Sequence, residues 1–191
     1  MKTFLLSIAV LFAASTAIAQ DNSYGIIAGY NVSKINNLGG DGFSENRPGF
    51  HVGVIAEFPM NEKWSWETSL AYSEEGEAFQ IGNQDVDIKY TNINLPVQAK
   101  YYVTKGLSIH GGPQVGFITK IEQTIDDGEA RTIKDRVNSH FAVTGGFGYD
   151  LDMGVFAKVS MAYGLTDTVD NIDFTNSERI ATVHFSLGYK F

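Results

Sequence analysis

Residues 181–191 read Ala181-Thr182-Val183-His184-Phe185-Ser186-Leu187-Gly188-Tyr189-Lys190-Phe191. Every second side chain is apolar. In an extended chain Val183, Phe185, Leu187, Tyr189 and Phe191 share one face, and Thr182, His184, Ser186, Gly188 and Lys190 share the other. One face asks for an apolar environment and the other for a polar one.

The same period of two runs upstream and predicts eight strands. Near 24–33, Tyr24, Ile26, Ala28, Tyr30 and Val32 alternate with glycine, Asn31 and Ser33. Near 49–58, Phe50, Val52, Val54, Ala56 and Phe58 alternate with His51 and Glu57. Near 64–73, Trp64, Trp66, Thr68, Leu70 and Tyr72 alternate with serines and Glu67. Near 92–103, Ile93, Leu95, Val97, Ala99 and Tyr101 alternate with Asn94, Gln98, Lys100 and Tyr102. Pro96 lies inside that last run, where a residue without an N–H is ill suited to a central strand. The pattern continues through Leu107–Phe117, His140–Tyr149, Val155–Gly164 and Ala181–Phe191. Runs of about ten residues match what a tilted strand needs to cross a bilayer.

Short connections are expected at Pro59–Lys63, Thr104–Gly106 and Asp150–Gly154, and long polar ones near 34–48, 74–91, 120–138 and 165–179. Alternating short and long connections fit a barrel with periplasmic turns and extracellular loops. The minority face holds Glu57, Glu67, Gln98, Lys100, His110, Gln114, Lys158, His184, Lys190 and many glycines. That content suits the narrow interior of an eight-stranded barrel, which side chains fill. The apolar face suits lipid, and its aromatics gather toward both strand ends as interfacial girdles do. The expected fold is therefore all-β, an eight-stranded antiparallel up-and-down transmembrane β-barrel. A soluble lipocalin-like barrel is the competing architecture.

The rest of the composition narrows the function. The chain has 191 residues, 20 glycines, no cysteine and a net charge of −8. It lacks the basic face that a nucleic-acid binder needs, and it has no thiolate for a disulfide, a metal or nucleophilic catalysis. Met1-Lys2-Thr3, the apolar run Phe4–Ala14 and Ala17-Ile18-Ala19 read as a secretory signal peptide. The expectation is a cleaved segment 1–19, export through the Sec pathway and a barrel domain over 20–191.

Two resemblances extend this reading. Val183, Phe185, Leu187, Tyr189 and the closing Phe191 resemble the C-terminal signal read by the barrel-assembly machinery of bacterial outer membranes. The stretch Asn92-Ile93-Asn94-Leu95-Pro96-Val97-Gln98-Ala99-Lys100-Tyr101-Tyr102, followed by Gly111-Gly112-Pro113-Gln114-Val115-Gly116-Phe117, resembles the mid-chain hairpin of the PorT-like outer-membrane β-barrel family. That resemblance implies a small barrel in the outer membrane of a Gram-negative cell. It implies no single activity, since some members are linked to protein secretion, and it accounts for Pro96.

Candidate chemistry is sparse. Glu67 and Lys100 are expected to face each other inside the barrel as a charge-paired plug, because buried charges must be paired; an ion or proton path is the alternative. His110, His140 and His184 face the lumen, with Ser139, Ser160 and Ser186 as candidate nucleophiles. Lipid-modifying barrel hydrolases, however, turn their serine, histidine and acid toward lipid. No close-spaced ligand pair suggests a metal, and no cofactor is expected. Acidic loop residues Glu74, Glu75, Glu77, Asp126, Asp127, Glu129, Asp167, Asp170 and Asp173 read as solvation near lipopolysaccharide, or as sites for divalent cations or a partner. The expected protein is a monomeric, non-catalytic outer-membrane barrel with a structural or surface-binding role. Its expected partners are outer-membrane lipid, lipopolysaccharide and, during insertion, the assembly machinery, with no nucleic acid. A narrow pore or secretion accessory is the alternative, and a lipid-modifying enzyme the third reading.

Overall fold

The computed structural model describes residues 22–37, 44–81, 84–125, 128, 131–133, 139–166 and 178–191. The signal-peptide segment 1–19 lies outside these residues, as do Asp126, Asp127, Glu129, Asp167, Asp170 and Asp173. The strands are β1 (Ser23–Asn37), β2 (Ser44–Glu45), β3 (Arg47–Pro59), β4 (Trp64–Ile81), β5 (Gln84–Tyr102), β6 (Leu107–Ile125), β7 (Arg131–Ile133), β8 (Ser139–Asp150), β9 (Val155–Gly164) and β10 (Glu178–Lys190).

Eight of them close a ring in the order β4, β3, β1, β10, β9, β8, β6, β5, which returns to β4; the short β2 and β7 pair outside the ring with β4 and β6. All pairings are antiparallel, and β1 meets β10 from Gly25↔Lys190 to Asn37↔Glu178. Phe191 N donates to Tyr24 O at 2.8 Å, which completes the seam at the turn end. The apolar face points outward, with Ile26, Val54, Leu70, Phe147 and Leu187 all at least half exposed to the surroundings. Aromatic contacts lie at both ends of this outer wall: Trp64 with Tyr101 at 4.8 Å on the turn side, Phe50 with Tyr72 at 5.7 Å on the loop side.

β5 runs unbroken through Pro96. The β4–β5 register lapses between Thr68↔Val97 and Ala71↔Asn94, and the Pro96 carbonyl accepts from the Thr68 hydroxyl at 2.8 Å. The proline is thus tolerated where the ladder already loosens.

One expectation is corrected. The long loop placed at 74–91 is strand: β4 continues to Ile81 and β5 starts at Gln84, so the pair extends past the membrane as a hairpin. Glu75 and Glu77 are buried inside it rather than solvated. The other long connections shorten in the same way at 34–37, 47–48, 120–125 and 178–179. The cause is a second alternation: Val86, Ile88 and Tyr90 against Asp87, Lys89 and Thr91 keep β5 extended. Opposite Thr91 and Asn92 the register slips from Lys120 to Ile118, which makes Thr119 a bulge. The slip lets Ile118 and Ile121 both point inward, where they pack with Tyr90 and Ile180 across the barrel mouth.

The narrow interior places side chains against bare backbone. Gly116 is the clearest case: a Cβ there would lie 2.1 Å from His140 Cε1 and 2.8 Å from Asn94 Oδ1. Gly116→Ala is expected to lower unfolding stability by about 1–3 kcal/mol through overpacking. Because the clashing atoms belong to side chains, adding His140→Ala should recover part of the loss. Urea unfolding of the refolded protein tests this, and strict additivity of the two substitutions would refute the contact.

Candidate functional site

The lumen holds the polar half of every strand, and its contents form layers. At the turn end three lysines meet three carboxylates. Lys100 Nζ donates to Asp150 Oδ2 at 2.6 Å, Glu57 Oε2 at 3.0 Å and Glu67 Oε2 at 3.4 Å. Lys190 Nζ donates to Asp150 Oδ1 at 2.9 Å and also to Glu57. Lys158 bonds Glu67 and reaches Gln98 Oε1 at 3.4 Å. The Tyr102 hydroxyl lies 2.6 Å from Glu57 Oε1, and Ser65 Oγ donates to the same oxygen at 2.6 Å. Lys100 is only 1% exposed and Glu67 likewise 1%. The formal charges of this cluster cancel, as burial demands.

Glu67 and Lys100 do not stand opposite each other. Glu67 is registered with Gln98 and Lys100 with Ser65, so their 3.4 Å contact is diagonal. Barrel shear carries each toward other partners: Lys158 for Glu67, and Glu57 with Asp150 for Lys100. Sequence reasoning placed Glu57, Lys158 and Lys190 on the inner face without pairing them. It assigned Asp150 to a turn, although its even number gives it the inward parity of His140 and Thr144. Parity was the signal for it; the pairing across the lumen had none.

Above the ionic layer, Ile27, Ile55 and Phe156 form an apolar patch. Next comes a cavity of about 60 Å³ bordered by His51, Gln98, Gln114, Ser160, His184 and Ser186. It admits water but falls far below the roughly 300–1,000 Å³ of small-molecule sites. Higher still, Glu75 Oε1 accepts from Ser73 Oγ at 2.9 Å and Asn94 Nδ2 at 2.8 Å.

Of the candidate nucleophiles, Ser160 lies 2.8 Å from His110 Nε2, and Ser186 lies 2.9 Å from His51 Nε2 rather than beside one of the three histidines singled out. Nδ1 of both His51 and His110 has no hydrogen-bond partner. The acid that orients the imidazole of a catalytic triad is therefore missing from both pairs. Ser139 is exposed at the start of β8, while His140 is buried over Gly116. Among the described residues no group of three or more His, Asp or Glu side chains is placed to hold a metal ion. The residues of the terminal apolar run lie on β10 with Phe185, Leu187 and Tyr189 facing outward, and Phe191 closes the seam beside Tyr24.

A family model described as an outer membrane protein beta-barrel domain matches residues 18–170. Among solved structures, Neisserial surface protein A is similar at 14% identity and a TM-score of 0.62, covering 90% of this chain and 100% of that one. Ail, the attachment invasion locus protein of Yersinia pestis, is similar at 17% identity and a TM-score of 0.55, with the same coverage. No curated protein matches the sequence.

Removing the shared cation of the ionic layer should be costly. Lys100→Met leaves Glu57, Glu67 and Asp150 short of a partner in a largely buried site, and a loss of about 3–5 kcal/mol is expected. The readout is the temperature at which the folded band disappears in a heat-modifiability gel. An unchanged temperature would show that the layer does not depend on Lys100.

Proposed function

We propose that this chain, which belongs to the outer membrane protein beta-barrel domain family and resides in the outer membrane, is a non-conducting, non-catalytic barrel with a structural or surface-binding role. The observation that carries the reading is the ionic layer, where Lys100, Lys158 and Lys190 fill the cross-section against Glu57, Glu67 and Asp150. The apolar cap of Tyr90, Ile118, Ile121 and Ile180 supports closure at the other mouth. The unpartnered Nδ1 atoms of His51 and His110 support a role without catalysis. Within the family we assign the chain to the PorT-like group, on the strength of the Leu95-Pro96 and Gly112-Pro113 hairpin. Residues 1–19 act as its export signal. The assembly machinery reads Val183, Phe185, Leu187, Tyr189 and Phe191 during insertion. The mature protein is a monomer surrounded by phospholipid and lipopolysaccharide.

The interaction surface is the hairpin extension of β4, β5 and β6. Its outward side is a charge ladder: Glu74 to Lys89 at 3.7 Å and Lys89 to Glu122 at 2.9 Å across the strands, and Lys120 to Glu122 at 2.6 Å along β6. Arg47 Nε clasps Asp87 at 3.0 Å. Gly76, at φ 153°, and Ser33 join the extension to the barrel. Ser33 Oγ accepts from Gly76 N at 2.8 Å and donates to Gly76 O at 2.9 Å. Such an ordered platform supports recognition better than a free loop would.

Steady conductance in planar bilayers is expected to be absent. A stable channel from the wild-type protein would overturn the sealed reading and favour a narrow pore or secretion accessory. A second expectation concerns the ladder. Hydrogen bonds from Lys120 and then Lys89 hold the Glu122 carboxyl below its usual range, and the bond to Glu122 holds Lys89 above its own. A depressed carboxyl contributes stability above its unfolded-state value and loses it as pH falls through the folded one. The ladder should therefore hold at neutral pH and loosen in acid, by less than about 1 kcal/mol for a part-exposed surface pair. Amide exchange at Lys89–Thr91, after correction for intrinsic rates, should rise in acid for the wild type and be nearly pH-independent in Glu122→Gln.

A further inference from the structure

The three turns that close the barrel on the periplasmic side carry apolar side chains in the open. Met60 is 62% exposed, Val103 50%, Leu151 47% and Met153 72%. Each continues the outward register of its neighbouring strand by one more step: Phe58 to Met60, Tyr101 to Val103, Tyr149 to Leu151, and Val155 back to Met153. The lipid-facing wall therefore does not end where the strands end.

The opposite end behaves differently. One step beyond outward Tyr72 stands Glu74, and beyond Phe117, past the bulge, stands Lys120. Outward Ile93 gives way to Thr91 and then Lys89. On β4, β5 and β6 charge follows the outward apolar positions, whereas on β9 outward Tyr163 is followed by Leu165, 50% exposed. The four apolar side chains of the turn end are spread over three separate turns, so an occupant must reach all three at once.

We propose that the turns 60–63, 103–106 and 151–154 are immersed in the headgroup–acyl boundary of the periplasmic leaflet, with phospholipid covering Met60, Val103, Leu151 and Met153. Continuity with the lipid-facing wall selects the occupant, because the four side chains extend that wall rather than forming a separate patch. The charged residues of the turns fit the same setting. Lys105 and Asp152 pair at 3.2 Å while remaining 85% and 84% exposed, and a lysine stem can lie along apolar surface with its ammonium in the headgroups. The barrel would then sit low, its turns in lipid and its β4–β5–β6 extension raised clear of the opposite face. Interfacial residues of this kind set depth and tilt.

The chain has no cysteine, so single labels can be introduced cleanly. Met60→Cys, Val103→Cys and Met153→Cys would each be labelled with an environment-sensitive fluorophore in the full-length protein. The refolded protein would be placed in phosphatidylcholine nanodiscs, which leave both faces open to solvent. Gln84→Cys, at the exposed start of β5, is the aqueous reference. Turn labels are expected to emit to the blue of the reference, to lose iodide quenching and to be quenched by lipids brominated high in the acyl chain. Iodide quenching equal to the reference would overturn the proposal by placing the turns in water. Shielding from both quenchers would overturn it by placing protein over them. A heat-modifiability gel on each labelled variant establishes that it is folded before the reading is taken.

Discussion

Hydrocarbon cannot hydrogen-bond a peptide group, and each unpaired one costs several kcal/mol there. The pairing of β1 with β10 answers that constraint and the rest of the molecule follows from it. Closure with eight strands fixes a lumen too narrow to stay empty. It also fixes which half of each strand must enter that lumen, because the other half faces lipid. The polar half can be buried only if its charges cancel, so Lys100, Lys158 and Lys190 sit against Glu57, Glu67 and Asp150. The ionic layer is thus a consequence of closing the sheet at this size.

Glycine and bulk divide the remaining space. Where His140 swings across the interior, Gly116 presents bare backbone to it. At the mouth the Thr119 bulge brings Ile118 and Ile121 onto the same side, and the polar lumen gives way to an apolar cap. Between the cap and the ionic layer lie the Glu75 network, a small cavity and the patch of Ile27, Ile55 and Phe156. The external similarity to Ail and Neisserial surface protein A extends to fold at low identity.

Much of the fold was legible because a period of two, an odd–even code, specifies strand and facing at once. Parity put Glu57, Glu67, Lys100, Lys158 and Lys190 inside from sequence alone. It could not pair them, since partners across a lumen depend on shear and register summed around the whole ring. Glu67 therefore meets Lys158, from a strand 91 residues away in sequence. The hairpin extension was missed for a different reason. A membrane strand is marked by apolar residues on its lipid side, and in β5 the code reverses at Thr91–Asn92. Below that point odd residues such as Ile93 and Leu95 are apolar and face out. Above it the even residues Val86, Ile88 and Tyr90 are apolar and face in. The strand never breaks; its solvent changes.

That reversal also serves as a ruler. The outer apolar alternation of the last strand runs from Ala181 to Phe191. At about 3.3 Å per residue and a tilt near 40°, it spans about 25 Å along the membrane normal. A typical bilayer offers a hydrocarbon core of about 30 Å. Hydrophobic mismatch therefore favours a thin membrane for this barrel, and bacterial outer membranes are thinner than average. The girth of the ring is set by strand number, but the choice of bilayer is set by where each strand changes its alternation.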